Sequence, residues 1–441
     1  MSHSAAVIGG GISGLASAVR IAELGHRVTL YEGESFLGGL GTTFPYRGLH
    51  LERFYHCILR SDTALLRHIR ELGLESELMW RGTRMGFMYR RRVYPMNTAW
   101  DLLRFSPLSL PERVRMGLIG LRARTRGMSP ELDRVTAADW LRGMAGERAF
   151  EILWKPLLAA KIGDAYASLP ALWVSSRMHR EKNVGPEVKG CLRHGYRSLI
   201  DAFERRLRER GASIRTSARV ERIERDGDRM GVRLADGRCE AHDYVVSTSP
   251  LVQFQRMTAA LSLEPSIAKL ELDYQGVVSG VFLMKRALSP YYWTPFVDSG
   301  ATAQGAIEMS NLMPLERAHG LHVTYLVIYA HRDSAVFART DAELLQLYRR
   351  DLEALFPGSA AAVVDQFVFR APFVEPVWPL HYSRLKPPAS VIPGRLYLAC
   401  TAQVYPHVNS WSSCCAVVDA MIPELASETA AVHGAPRAAC A

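Results

Sequence analysis

An α/β fold opening on a dinucleotide-binding βαβ unit is predicted by three observations. A short apolar strand, Ala5 to Ile8, runs into Gly9-x-Gly11-x-x-Gly14. Leu15, Ala18, Val19 and Ala22 follow at helical spacing. A second apolar strand, Arg27 to Tyr31, ends on the acid Glu32. Each glycine has a physical task in a Rossmann-type turn. Gly9 permits the tight strand-to-helix turn, Gly11 lets backbone approach a pyrophosphate, and Gly14 lets helix pack on strand. Around them, Gly10, Ile12 and Ser13 complete a helix start whose free N–H groups and positive dipole end suit phosphate oxygens. Glu32 stands where a carboxylate accepts the hydroxyls of an adenosine ribose. It would repel a 2′-phosphate, so FAD or NAD is expected rather than NADP.

The 441 residues suffice for two or three lobes with their own cores. No run of about 18 uncharged apolar residues occurs, so no spanning helix is expected. The chain enters its first strand at once and leaves no room for a signal peptide, so a cytoplasmic location is the expectation. The 7 cysteines form neither a CxxC pair nor a spaced cluster, so no metal site and no disulfide framework is expected. The net charge of +10 is carried mainly by arginine and fits either an acidic substrate or an anionic membrane surface. No nucleic-acid partner is expected.

Beyond Glu32, Gly38-Gly39-Leu40 suits a loop lying against a cofactor. A helix is expected over Asp62 to Leu72. The stretch Leu108 to Arg126 reads as an amphipathic basic helix carrying Arg113, Arg115, Arg122, Arg124 and Arg126. It is either an ordinary surface helix or a contact for anionic lipid. Residues 130–185 look helical and hold Trp140, Trp154 and Trp173. Strands are expected at Arg215 to Ile223, Arg229 to Leu234 and Tyr244 to Ser247, then at Val277 to Met284 and His322 to Tyr329. A helix is expected at Asp341 to Leu355. The strand Arg395 to Ala399 and a helix from Trp411 to Met421 follow. These elements suggest a discontinuous FAD-binding domain (1–85, 190–268 and 386–430). A substrate domain with a mixed sheet and a helical cap (86–189 and 269–385) is inserted in it. Residues 431–441 read as a flexible tail.

Taken together, these segments resemble the flavin amine-oxidase superfamily, which includes protoporphyrinogen oxidase, monoamine oxidase and phytoene desaturase, with UDP-galactopyranose mutase more distant. The resemblance rests on Gly9 to Glu32, on the double glycine Gly38-Gly39, on Leu192 to Leu199 ahead of Arg219 to Ile223, and on Val245 to Pro250. It implies FAD, with Val220 near the adenine and Ser247 on the strand end that returns to the cofactor. Glu52 to His56 and Trp154 to Leu158 look most like the bacterial protoporphyrinogen-oxidase-like branch. Some positions depart from the family pattern. Leu40 and Gly41 stand where an arginine is frequent, and Ala399-Cys400 where Gly-Asp is usual. Tyr405 to Trp411 replaces a glycine-rich helix start, with Val408, Asn409 and Ser410 leading into the helix and Asn409 and Ser410 able to cap it.

The implied chemistry is transfer of a hydride from a C–H or C–N centre of a small or lipid-like metabolite, anionic in one version, to flavin N5. No second GxGxxG is present, so O2 or a quinone is the expected acceptor. Tyr55, His56, Tyr405 and His407 are the candidate catalytic residues, the histidines as general bases. Cys400, Cys414 or Cys415 would serve covalent flavin attachment. Arg90 to Arg92 is either an anion site or a solvated loop. Two other readings stay open: a redox-neutral isomerase or mutase, and a non-catalytic partner that keeps the fold.

Overall fold

The computed structural model describes residues 2–126, 128–181 and 187–434. Ala5, Ala6 and Val7 are fully buried at the centre of a six-stranded sheet. Its order is Ser390–Ile392, Leu396–Leu398, Tyr244–Ser247, Ser4–Ile8, Arg27–Tyr31 and Ser213–Arg215. All neighbours are parallel except Ser390–Ile392, which runs against Leu396–Leu398. Parallel strands covered on both faces need apolar side chains throughout, which is why these runs are near-continuous in Ala, Val, Leu and Tyr. The helix Ile12–Glu23 buries Leu15, Ala16, Ala18, Val19 and Ile21 on this sheet. The last helix, Trp411–Gly434, packs along it, and Arg20 Nε donates to Asp419 at 3.2 Å.

Two elements differ from the sequence expectation. Arg215 to Ile223 is not one strand. The chain leaves the parallel sheet at Arg215 and begins the antiparallel group Val220–Asp226, Arg229–Leu234 and Cys239–His242. The corner holds Ser217 at φ +51°. The Ser217 N–H donates to the Glu34 carbonyl at 2.7 Å, and the Ala218 N–H to the Glu32 carbonyl at 2.8 Å. The last helix continues past Met421 to Gly434 through Pro423. A proline usually ends a helix. Here Leu425 is fully buried, and the Glu428 carboxylate accepts from the Gly394 N–H (3.0 Å), Ser390 Oγ (2.7 Å) and the Tyr397 hydroxyl (2.8 Å), which hold the extension on the sheet edge. Residues 431–434 of the expected tail belong to this helix, and 435–441 lie outside the described residues.

A seven-stranded sheet forms the second layer: Val363–Val377, Asp273–Met284, His322–His331, Gly305–Glu308, Trp293–Val297, Gly86–Tyr89 and Arg92–Pro95. Asp273–Met284 is buried along almost its whole length because it lies between two long partners. The 15-residue strand Val363–Val377 lacks an alternating pattern and contains Pro372 and Pro376. Its register slips between the pairs Gln275↔Glu375 and Val277↔Ala371. Pro372 lies in this slip, where the ladder needs no N–H from it. Helices Leu110–Arg126, Ala137–Ala145, Lys155–Ile162 and Ala171–Glu181 cover one side, with Trp173 buried among them.

A buried ion pair ties the layers together. Glu52, on the hairpin strand Leu49–Glu52, accepts from Arg317 Nη2 at 2.7 and 2.9 Å. The same carboxylate accepts the Tyr196 N–H at 3.2 Å, and the Glu52 carbonyl accepts the Tyr325 hydroxyl at 2.7 Å. Removing one partner of such a pair leaves an uncompensated buried charge, at a cost of about 3–5 kcal/mol. Glu52→Gln and Arg317→Met should each lower the urea midpoint accordingly, while the double variant should lose clearly less than the sum. Strictly additive losses would show that the two charges are not coupled.

Candidate functional site

The first turn is packed too tightly for any other residue. A Cβ on Gly14 would lie 1.7 Å from the Gly9 carbonyl oxygen, and Gly9 itself has φ +102°. The helix Ile12–Glu23 begins at Gly11 with no side-chain cap, and Gly9, Gly11, Ile12 and Ser13 line a cavity of about 990 Å³. Uncapped N–H groups at a helix start facing a cavity make an anion site. Glu32 lines the same cavity. Its Oε2 accepts the Gly10 N–H at 2.6 Å and its Oε1 the Glu34 N–H at 2.8 Å. These bonds fix the carboxylate at the strand end and leave further lone pairs for ribose hydroxyls. Gly38, Gly39, Leu40 and Val220 also line the cavity, and Gly38 is held by its N–H bond to the Gly10 carbonyl at 2.8 Å.

Three residues of the turn and strand end serve from behind. Gly10 and Gly14 do not line the cavity: one is held by Glu32 and the other is pressed on Gly9. Ser247 is fully buried, and the next residues, Thr248 and Ser249, face the cavity instead. Thr248 Oγ1 donates to the Ile8 carbonyl at 2.8 Å.

At the other end, Val408, Asn409 and Ser410 line the cavity together with Trp411 and Cys414. Ser410 caps the last helix, its Oγ accepting the Ser413 N–H at 3.1 Å. Asn409 does not cap. Its amide donates to the Val374 carbonyl and its Oδ1 accepts the Cys414 thiol, so it joins this loop to the seven-stranded sheet. The departure at Gly41 has a steric cause, because a Cβ there would lie 2.0 Å from the Trp411 ring. Burial pushes the thiols of Cys400 up to about 12, of Cys414 to about 11, and of Cys415 well above its ordinary value, so none is a thiolate at neutral pH.

Of the four candidate catalytic residues, two reach the cavity. His56 Nδ1 lies 3.0 Å from the Phe54 carbonyl, which can only accept, so Nδ1 carries the proton and Nε2 the lone pair. Its ring sits 5.1 Å from that of Tyr196 and 5.8 Å from that of Trp411. Burial lowers its pKa, so it is neutral at pH 7. The Tyr55 and Tyr329 hydroxyls are 2.6 Å apart, and burial raises both pKa values. Tyr405 and His407 do not line the cavity. Tyr405 is buried against Trp378 and Tyr382, with its hydroxyl bonded to Asp133. His407 is exposed. The chain between Thr401 and Val408 turns these two side chains away from the cavity. Arg90 and Arg91 form a left-handed, exposed turn in which Arg90 pairs with Asp298 at 2.8 Å. It is a solvated loop away from the cavity.

The remaining wall was not legible in the sequence. Lys161 ends the helix Lys155–Ile162, Arg177 and Arg180 lie on Ala171–Glu181, and Ser279, Tyr329 and Glu375 come from three strands of the seven-stranded sheet. Lys161 Nζ stands 3.3 Å from Glu375 Oε2 and 4.1 Å from the Tyr329 ring centroid. Arg180 pairs with Asp62 at 2.6 Å. Only the spacing of Arg177 and Arg180 on one helical face offered a signal. Among the described residues no cluster fits a metal ion, and no helix is long and apolar enough to cross a membrane.

Residues 12–408 match the family described as Flavin containing amine oxidoreductase. The chain belongs to that family. It is an FAD-dependent oxidoreductase, and the tight Gly9–Gly14 turn with its fixed carboxylate fits the dinucleotide of that cofactor. Coproporphyrinogen III oxidase of Staphylococcus aureus is 22% identical over 80% of this chain and 84% of that protein. A probable zeta-carotene desaturase of Synechococcus elongatus is 24% identical over 55% of this chain and 57% of that protein. Among solved structures, cyclohexylamine oxidase of Brevibacterium oxydans has the same fold (TM-score 0.74, 14% identity, covering 97% of this chain and all of that one). A protoporphyrinogen oxidase-like protein of Exiguobacterium does too (TM-score 0.76, 18% identity, 97% and 99% covered).

Hydrogen bonds to a charged group contribute about 1.5–3 kcal/mol, so Glu32→Ala should weaken FAD retention by roughly 10- to 100-fold. Gly14→Ala should give protein without bound flavin. Flavin absorbance after desalting reads both. Unchanged occupancy in Glu32→Ala would remove the ribose assignment.

Proposed function

We propose that this protein oxidises a C–H or C–N centre of a small or lipid-like metabolite as an oxidase, dehydrogenase or desaturase. The reading rests on the single cavity that runs from the Gly9–Gly14 turn and Glu32, past His56 and the Trp411 helix start, to Tyr55, Tyr329, Lys161 and Glu375. Relatives named oxidase and desaturase support it. When bound, FAD supplies a two-electron acceptor.

The chain's own residues have distinct tasks in this reading. Val277, Val327, Phe373 and Val374 give an apolar wall that excludes water from the reacting carbon. Neutral His56, fixed by Phe54 and held beside Tyr196 and Trp411, offers its Nε2 lone pair as a proton acceptor. O2 or a quinone then serves as terminal acceptor.

The location proposed is cytoplasmic, with peripheral contact to the inner face of the membrane. Leu110, Val114 and Leu118 recur every fourth residue on the helix Leu110–Arg126 and are 60%, 51% and 58% exposed. Trp100 is 62% exposed on the preceding short helix, Ala99–Leu103, and Arg91, Arg92, Arg104 and Arg115 are exposed as well. Exposed apolar residues among arginines suit an anionic lipid surface. Arg122, Arg124 and Arg126 lie outside the described side chains.

An oxidisable metabolite should bleach the flavin under anaerobic conditions, and air or a quinone should restore the colour. A full metabolite screen without bleaching would overturn the oxidative reading. Because burial lowers the His56 pKa below 6.5, the bleaching rate should be flat above that pH and fall as acid protonates the ring. His56→Gln should be slower and lack this acid limb. An identical rate and profile would remove His56 from the chemistry. Protein should pellet with vesicles containing phosphatidylglycerol and less so as Trp100→Glu/Leu118→Glu. Protein wholly in the supernatant would dispose of membrane contact.

A further inference from the structure

Cys57 and Cys191 lie outside the chemistry described so far, and both are free thiols. Their backbones meet at one antiparallel bridge. The Ile58 N–H donates to the Gly190 carbonyl at 2.8 Å, and the Gly190 N–H donates to the Ile58 carbonyl at 2.7 Å. A pair that exchanges both bonds is flanked by pairs that exchange none, with Cα atoms about 4.5 Å apart and side chains on one face. Cys57 and Cys191 are such a flanking pair. The faces agree with this register. Ile58, Leu192 and Trp80 pack in the core of the six-stranded sheet. Cys57, Cys191 and Met79, the strand partner of Cys191, all pack in the other core, against the seven-stranded sheet.

That placement suits a covalent bond, because a disulfide joins residues whose Cα atoms lie about 4.4–6.8 Å apart and whose Cβ atoms share a face. Access differs between the two thiols. Cys57 is half-buried and lines the cavity, while Cys191 is 3% exposed and does not line it. Cys191 Sγ donates to the Leu312 carbonyl at 3.7 Å, a weak bond that a disulfide would end. Burial pushes Cys191 up to about 11 and raises Cys57 as well, so both are protonated near neutral pH and react slowly.

We infer that Cys57 and Cys191 form a reversible modification site, closed to a disulfide by hydrogen peroxide that enters the cavity. The Cys57 sulfur attacks one peroxide oxygen, the O–O bond breaks, and water leaves with the thiol proton, giving a sulfenic acid. The Cys191 sulfur then attacks the Cys57 sulfur, the S–O bond breaks, and a second water leaves with the Cys191 proton. The two thiols lose two electrons and the peroxide gains them. The closed bond ties the segment that carries Tyr55 and His56 to the strand Glu187–Leu192. The step needs neither flavin nor substrate, so it goes beyond the oxidative reading and does not rest on it.

The test treats the flavin-loaded full chain with a molar excess of hydrogen peroxide in mildly alkaline buffer. Remaining thiols are then blocked with N-ethylmaleimide in denaturant, and the peptides are mapped by mass spectrometry. The expected product is a linked Cys57–Cys191 peptide, lighter than its two parts by two hydrogens and lost after dithiothreitol. Three results would overturn the inference: both thiols recovered as maleimide adducts, Cys57 oxidised beyond the sulfenic acid with Cys191 unmodified, or Cys57 linked to another cysteine. None of these measurements needs a variant to fold. In Cys191→Ser, Cys57 should stop at the sulfenic acid and take up dimedone, with several-fold less uptake in the unmodified protein. Equal dimedone uptake by the two proteins would show that Cys191 does not resolve Cys57, and the pair would lose its role.

Discussion

The closeness of Gly14 to the Gly9 carbonyl underlies the whole arrangement. A helix brought this near a strand end aims its first N–H groups into open space beside the sheet rather than into side chains. Glu32 then uses both carboxylate oxygens on backbone N–H groups, Gly10 and Glu34, which binds the second strand end to the turn. The corner at Ser217 and Ala218 bonds to the same loop and delivers Val220 to the cavity. One close contact thus sets the relative places of the helix start, the Glu32 carboxylate and Val220 along one cavity wall.

Burial sets the protonation of almost everything else in the cavity. It raises Tyr55, Tyr329 and Cys414, and lowers His56, so these groups are neutral near pH 7. The fixed charges at that end of the cavity are consequently few, and they come from Lys161, Arg177, Arg180, Asp62 and Glu375. Against a background of neutral hydroxyls and apolar strands, each of these charges acts over a longer range than it would in water. Charge at that end of the cavity therefore rests on a handful of side chains, while the apolar strands shape the space between them.

Junctions between the layers hold this geometry. Glu52 and Arg317 connect the hairpin, the Tyr196 helix start and the seven-stranded sheet in one buried network. Asn409 connects the last helix to the strand Val363–Val377. Gln275 and Glu375 connect that sheet to the helix Lys155–Ile162. Each junction is a polar contact between segments far apart in sequence, so the cavity depends on docking of the sheets rather than on any one element.

The sequence by itself determined what is local. Gly9 to Glu32 announces a dinucleotide turn because each glycine answers a backbone demand within a few residues. The helix Asp341–Leu355 and the strands Ser4–Ile8 and Arg229–Leu234 follow from periodicity of adjacent side chains. Tyr55 and His56 were legible because Glu52 to His56 resembles a segment of the family. The tertiary structure alone decided that Tyr405 packs on Trp378, that the helix survives Pro423, and that Val363–Val377 is a strand despite two prolines. It alone brought Lys161 to Glu375. Periodicity reports which face of an element is apolar, whereas the meeting of two charges across sheets depends on the register and angle at which those faces dock, and no short stretch of chain encodes that.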